Sequence, residues 1–98
     1  MKTTTARHLI VTGVVQGVGF RDALCRQATE ANIDGWVRNR RDGSVEAVLR
    51  GEASAVEAVS EWARRGPAAA IVSAVRQRDA TAAELQSVTS GFQFLPSA

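Results

Sequence analysis

The residues best suited to chemistry lie in one short run, Gly13-Val14-Val15-Gln16-Gly17-Val18-Gly19-Phe20-Arg21. Glycines at 17 and 19 allow positive φ and bring the backbone close to a ligand with no Cβ in the way. Successive amide N–H groups in such a turn converge into an anion-binding concavity. A helix starting just beyond the loop adds its positive N-terminal end. Arg21 stands at that junction with a permanent charge and a planar fork suited to phosphate oxygens. Backbone donors and one arginine suffice to hold a tetrahedral dianion, and nothing in that chemistry requires a metal ion. No Gly-Lys-Ser/Thr follows, as a Walker loop would need, and the third glycine of a dinucleotide fingerprint is missing. Taken alone, a two-glycine turn is more often an ordinary tight turn beside a surface arginine.

The elements around the run must position it. Residues 8–14 are rich in β-branched and apolar types and predict a strand, followed by a loop at 15–21. Helical spacing of Leu24, Cys25, Ala28 and Ala31 predicts a helix over 22–32, with Asn32 as its stop. A second strand is expected at 35–40, a turn at Asp42-Gly43, and the returning strand at 44–50. Ser54 and Glu57 have capping-box spacing ahead of Val56, Val59, Trp62 and Ala63, and Gly66-Pro67 ends that second helix. Residues 71–78 form a fourth strand and 91–95 a short final one. The stretch 81–89 is ambiguous, with a turn of helix possible at 82–85. Residues 1–5 and 97–98 are expected to be loose tails. The order β-α-β-β-α-β, with its extra C-terminal strand, predicts a single α+β domain over 1–98: an antiparallel sheet with two helices on one face. Such a fold hosts many unrelated functions, so the site must decide the activity.

Composition narrows the classes. The 98 residues are 45% hydrophobic, enough for one modest core, and the net charge of +2 is far from the basic stripe of a nucleic-acid binder. The single cysteine, Cys25, leaves no intramolecular disulfide and no Cys-rich metal site. Cys25 is expected to be an inert core thiol. His8, the only histidine, has no second ligand near it in sequence and reads as structural or solvated. Trp36 and Trp62 are expected in the core, with Trp36 also able to line a site near Asn39. Arg38, Arg40 and Arg41 cluster at the hairpin, as a solvated turn or as a field that steers anions. No apolar run approaches a membrane span of roughly 18 residues, and no signal-peptide pattern is present. A cytoplasmic protein without a membrane partner is expected.

Two longer strings raise the loop above the ordinary-turn reading. Val15-Gln16-Gly17-Val18-Gly19-Phe20-Arg21 resembles the signature loop of the acylphosphatase family. Gly35-Trp36-Val37-Arg38-Asn39-Arg40-Arg41-Asp42-Gly43-Ser44-Val45-Glu46 resembles the second signature, with Asn39 at its asparagine. Trp62 and Gly66-Pro67 also resemble the family's second-helix ending, so the similarity spans nearly the whole chain in order. It implies a ferredoxin-like α/β sandwich that hydrolyses acyl phosphates such as carbamoyl or acetyl phosphate. It further implies no metal or cofactor, a small-molecule partner and a monomer. By position, the loop residues Val15, Gln16, Gly17, Val18, Gly19 and Phe20 bind the phosphoryl group, Arg21 clamps it and Asn39 orients the attacking water. Inorganic phosphate or sulfate is expected to occupy the same loop. Two features depart from the pattern: Asp22-Ala23 replaces an aromatic after the arginine, and the final strand is short. Asp22 is placed either to cap the helix or to pair with Arg21 and dilute its charge.

Two other classes compete. An RNA-binding module of this fold would carry aromatics on its central strands, and residues 8–14 and 44–50 contain none. A domain from a larger carbamoyl-transfer maturation factor would resemble the same family, and Met1, the full strand set and the lack of zinc-finger cysteines favour a free-standing protein instead.

Overall fold

The computed structural model describes residues 3–98. Strand β1 spans Thr4–Val14 and leads through the glycine loop into helix α1, Phe20–Glu30. The chain continues through β2, Asp34–Asn39, β3, Val45–Glu52, and α2, Ala53–Ala63. Strand β4, Ile71–Asp79, a single helical turn α3, Ala82–Leu85, and β5, Phe92–Phe94, complete it. The sheet order is β4-β1-β3-β2-β5. Among the described residues no helix is long and apolar enough to cross a membrane.

Each side of the sheet follows from strand alternation. Leu9 and Val11 on β1, Val37 on β2 and Val45, Ala47 and Leu49 on β3 point to one face. They pack with Phe20, Leu24 and Ala28 of α1 and with Val56, Val59 and Ala63 of α2, all buried, which is the core. Helix α1 lies over β2 and β5, and α2 over β1 and β3. The intervening strand residues face the other way, where Trp36, Val48 and Val88 form a smaller cluster against Ala80, Leu85 and Leu95.

The fold departs from the sequence reading in several places. The sheet is antiparallel through β4, β1, β3 and β2, but β5 runs parallel to β2, with Gly35 opposite Phe92 and Val37 opposite Phe94. The segment holding α3 crosses the second face between β4 and β5 and so delivers β5 in the direction of β2. The expected N-terminal tail is partly strand: Thr4 and Thr5 pair with Glu52 and Gly51, as suits β-branched threonines, while Met1 and Lys2 lie outside the described residues. The expected C-terminal tail is fastened, since Ala98 N–H donates to the Asn39 carbonyl at 3.0 Å and Arg41 N–H to the Ala98 carbonyl at 2.7 Å. Ser54 does not cap α2; β3 runs directly into that helix, and the Ser54 hydroxyl donates to Glu52 Oε1 at 3.1 Å instead. The capping box occurs at α3, where Thr81 Oγ1 accepts from Glu84 N–H and Glu84 Oε1 accepts from Thr81 N–H. Cys25 is half-buried at the edge of the core, its Sγ 4.0 Å from the Phe92 carbonyl oxygen.

The second face decides between the two readings of His8, which is structural and not solvated. Two carboxylates distant in sequence converge on this buried ring, whose Nε2 lies 2.6 Å from Glu46 Oε2 and 3.5 Å from Glu84 Oε2. The ligand atoms of His8, Glu46 and Glu84 lie within 4.8 Å of one another, close enough to suggest a metal site. Each carboxylate, however, is already held by an arginine. Arg38 Nε donates to Glu46 Oε1 at 2.7 Å, and Arg78 donates to both Glu84 oxygens at 2.9 and 2.6 Å. A divalent cation would add charge to a cluster whose two carboxylates already face two guanidinium groups, so the arrangement is an ion-pair network that pins α3 to the sheet. Burial works to raise the Glu46 carboxyl, but the hydrogen bonds from His8 and Arg38 prevail and hold it below the ordinary value. The Arg78 fork draws Glu84 down from 4.5 to about 2, against a smaller opposing effect of burial.

A carboxyl whose folded pKa is depressed stabilises the fold above its unfolded value and loses that contribution as pH falls through the folded one. Stability should therefore decline between pH 4.5 and about 2 as Glu84 is protonated. Glu84→Gln should lower the urea midpoint at pH 7 and shrink the difference between midpoints measured at pH 7 and pH 3. An unchanged difference would show that Glu84 does not carry this dependence.

Candidate active site

The loop between β1 and α1 owes its shape to three local features. Strand β4 carries one extra residue, Ser73, opposite the Thr12–Gly13 step of β1, a bulge that raises the local twist where β1 runs into the loop. Gly17 and Gly19 then adopt φ of 75° and 80°, the left-handed region where a Cβ brings strain even though both positions face open space. Finally Phe20 anchors the helix start. Its ring is 1% exposed and packs on Trp62 with centroids 5.6 Å apart, below the loop rather than in it.

The consequence is a set of unused donors. The amides of Gln16, Gly17, Val18 and Gly19 donate to no backbone carbonyl among the described residues. Those of the first turn of α1 are free by the geometry of any helix start. Gly19 is the N-cap residue and offers no side chain to receive them. Gly17, Gly19 and the positive end of an 11-residue helix border a cleft of about 300 Å³.

The structure brings most of the sequence-predicted site residues to this cleft. Val15, Gly17, Gly19, Phe20, Arg21 and Asn39 line it. Gln16 and Val18 do not. Val18 packs against the core, and the Gln16 side chain turns to the β2–β3 hairpin, where its Nε2 donates to the carbonyls of Arg40 at 2.7 Å and Ser44 at 2.9 Å. That hairpin is tight: Ser44 N–H and Oγ both donate to Asp42 Oδ1, at 2.9 and 2.6 Å, which with nearby Arg40 holds the Asp42 carboxyl below its ordinary value. The Gln16 amide thus locks the loop against the strand end that carries Asn39.

Arg21 is half-buried and forms no ion pair among the described residues. Asp22, one residue on, is exposed at the cleft and neither pairs with Arg21 nor caps α1, so the guanidinium donors of Arg21 are not taken up by it. The guanidinium carbon lies over the Phe94 ring, 5.6 Å from its centroid, a contact that takes up none of the N–H donors. Asn39 stands at the end of β2, and its Oδ1 is buried with no hydrogen-bond partner among the described residues. A buried acceptor without a donor is unfavourable by about 1–3 kcal/mol and is seldom kept without a role.

Other expectations fail here. Trp36 does not reach this site; it lies on the second face, donating from Nε1 to the Glu84 carbonyl at 3.0 Å. Arg38 is turned the same way, 5.0 Å above the Trp36 ring and bonded to Glu46, so it supplies no free field to the cleft. Phe94 was missed by sequence reasoning. A short C-terminal strand carries no signal for its neighbour in the sheet, and only the parallel pairing with β2 brings that residue to Arg21.

Comparison with known proteins gives the family. The acylphosphatase family profile matches residues 7–94. An acylphosphatase of Azoarcus sp. (strain BH72) is 46% identical over 94 residues, covering 96% of this chain and 92% of its own. The structure of an acylphosphatase from Coxiella burnetii superposes with a TM-score of 0.83 at 35% identity, over 94% of this chain and 93% of that one. Full-length HypF in its phosphate- and nucleotide-bound form gives a TM-score of 0.84 at 26% identity, but the match takes in only 12% of that longer chain. With this match over most of its length, the chain belongs to the acylphosphatase family and hydrolyses acyl phosphates.

Proposed function

We propose that the cleft performs this hydrolysis without a metal ion, by direct attack of a water held on Asn39. The observation that carries the reading is the buried, unpartnered Asn39 Oδ1 beside a loop of unpaired amides. The phosphoryl group sits in the loop, its oxygens accepting from the amides of residues 16–20 and from the Arg21 fork. Asn39 cannot act as a base near neutral pH, but its amide oxygen accepts from a water and fixes its orientation. The water oxygen attacks phosphorus, the bond from phosphorus to the acyl oxygen breaks, and the carboxylate leaves with the electron pair. Both water protons end on the phosphate product, which then loses one to solvent. A carboxylate is a good leaving group, so no general acid is required. Phosphoryl transfer has a loose transition state in which positioning and charge stabilisation do most of the work.

The same reading makes the substrate a small acyl phosphate and makes inorganic phosphate or sulfate competitors for the loop. We further propose a monomer in a reducing, cytoplasmic setting, in keeping with the unpaired half-buried thiol of Cys25.

Benzoyl phosphate hydrolysis, followed by loss of ultraviolet absorbance, checks these roles. Asn39→Ala should lower kcat roughly 100-fold with the inhibition constant for inorganic phosphate retained. Arg21→Ala should weaken phosphate inhibition and lower kcat by at least a comparable factor, on the order of 100-fold. Full kcat in Asn39→Ala would contradict the water-orienting role. Activity should also be unchanged after exhaustive treatment with EDTA, and loss that a divalent ion restores would contradict the metal-free reading.

A further inference from the structure

Phe94 is one of the few large apolar side chains left exposed, at 44%, and it lies at the mouth of the cleft. Phe92 and Phe94 point to the same side of β5, toward α1. Phe92 packs against the core, whereas Phe94 lies in register with Val37, two residues before Asn39 on the neighbouring strand. Phe94 therefore shares the helix-side face with Asn39 and meets Arg21 from the open end.

In-line displacement fixes which way a substrate points. The attacking water is held at the buried Asn39 oxygen, so the leaving oxygen must lie on the opposite side of phosphorus, toward the mouth. The acyl group then emerges beside the Phe94 ring. The exposed carboxylate of Asp22 also lines the cleft and repels a second negative charge on the tail. We propose that Phe94 is the specificity-determining wall for the acyl group, favouring uncharged, apolar acyl phosphates of ring size over the smallest ones. Its contact with the Arg21 guanidinium serves every substrate alike, because all share the phosphoryl head. Contact with the acyl group serves only those large enough to cover the ring. The inference rests on the phosphoryl group occupying the glycine loop.

The test compares kcat/KM for benzoyl phosphate and acetyl phosphate in the wild type, Phe94→Ala, Phe94→Leu and Phe94→Tyr. Any loss through Arg21 is common to both substrates and cancels in their ratio. Phe94→Ala should lower the benzoyl-to-acetyl ratio by about tenfold, as expected for removal of an apolar contact to one substrate only. Phe94→Tyr should retain the wild-type ratio, and Phe94→Leu should fall between; if the alanine variant fails to fold, the leucine variant reads the same ratio. A ratio unchanged in both Phe94→Ala and Phe94→Leu, with the wild type active on both substrates, would overturn this inference alone. Absence of turnover on either substrate by folded wild-type protein would overturn the loop reading and the inference together.

Discussion

The site depends on one side chain that touches no substrate. Gln16 reaches from the glycine loop to the β2–β3 hairpin and donates to two carbonyls, those of Arg40 and Ser44, at 2.7 and 2.9 Å. Loop and hairpin belong to different parts of the chain and meet only because β1, β3 and β2 are neighbours in the sheet. That bridge ties the donors of the loop directly to the strand end that carries Asn39. Catalysis by positioning tolerates little relative motion, since a displacement of about 1 Å can lower a rate on the order of a hundredfold. The hairpin is stiff in its own right, through Asp42 and Ser44, and Ala98 closes over it from the other side. Asn39 thus adjoins a hairpin that the loop and the turn both brace, and its own carbonyl accepts from Ala98 N–H.

Charge is divided between the two faces of the sheet in a way that serves this site. On the second face Arg38 and Arg78 are matched by Glu46 and Glu84 around His8, and their effect is structural. On the helix side Arg21 stands at the start of α1 with an aromatic ring for a neighbour and, among the described residues, no ion pair. An aromatic face steadies a guanidinium without neutralising it. Helix end, unpaired amides and free arginine add to one positive field over a cleft of about 300 Å³. In the proposed function the substrate's dianion completes what the fold leaves open.

Much of this was legible in the sequence, for reasons that are local. The glycine spacing at 17 and 19, the Asp42-Gly43 turn and the apolar periodicities of α1 and α2 are short-range signals, and each produced the element expected. The two signature strings placed Arg21 and Asn39 in one region, and both line the cleft. What could not be read depends on contacts between distant residues. His8 meets Glu46 and Glu84 only across strands, β5 finds β2 in parallel, and Gln16 uses its side chain on a hairpin 24 residues away. The Ser54–Glu57 pattern misled because β3 continues straight into α2, whereas the same chemistry at Thr81 and Glu84 forms a working cap. Asp22 left two options open from sequence, to cap or to pair, and the structure takes neither.

The central claim is that loop and hairpin form a single phosphoryl site. Titration of the ¹⁵N-labelled protein with inorganic phosphate, followed by amide chemical shifts, tests it most directly. The backbone amides of residues 16–21 and the side-chain amide of Asn39 should shift together along one saturable curve. Shifts confined to the arginines of the opposite face, or a loop that responds while Asn39 does not, would contradict it.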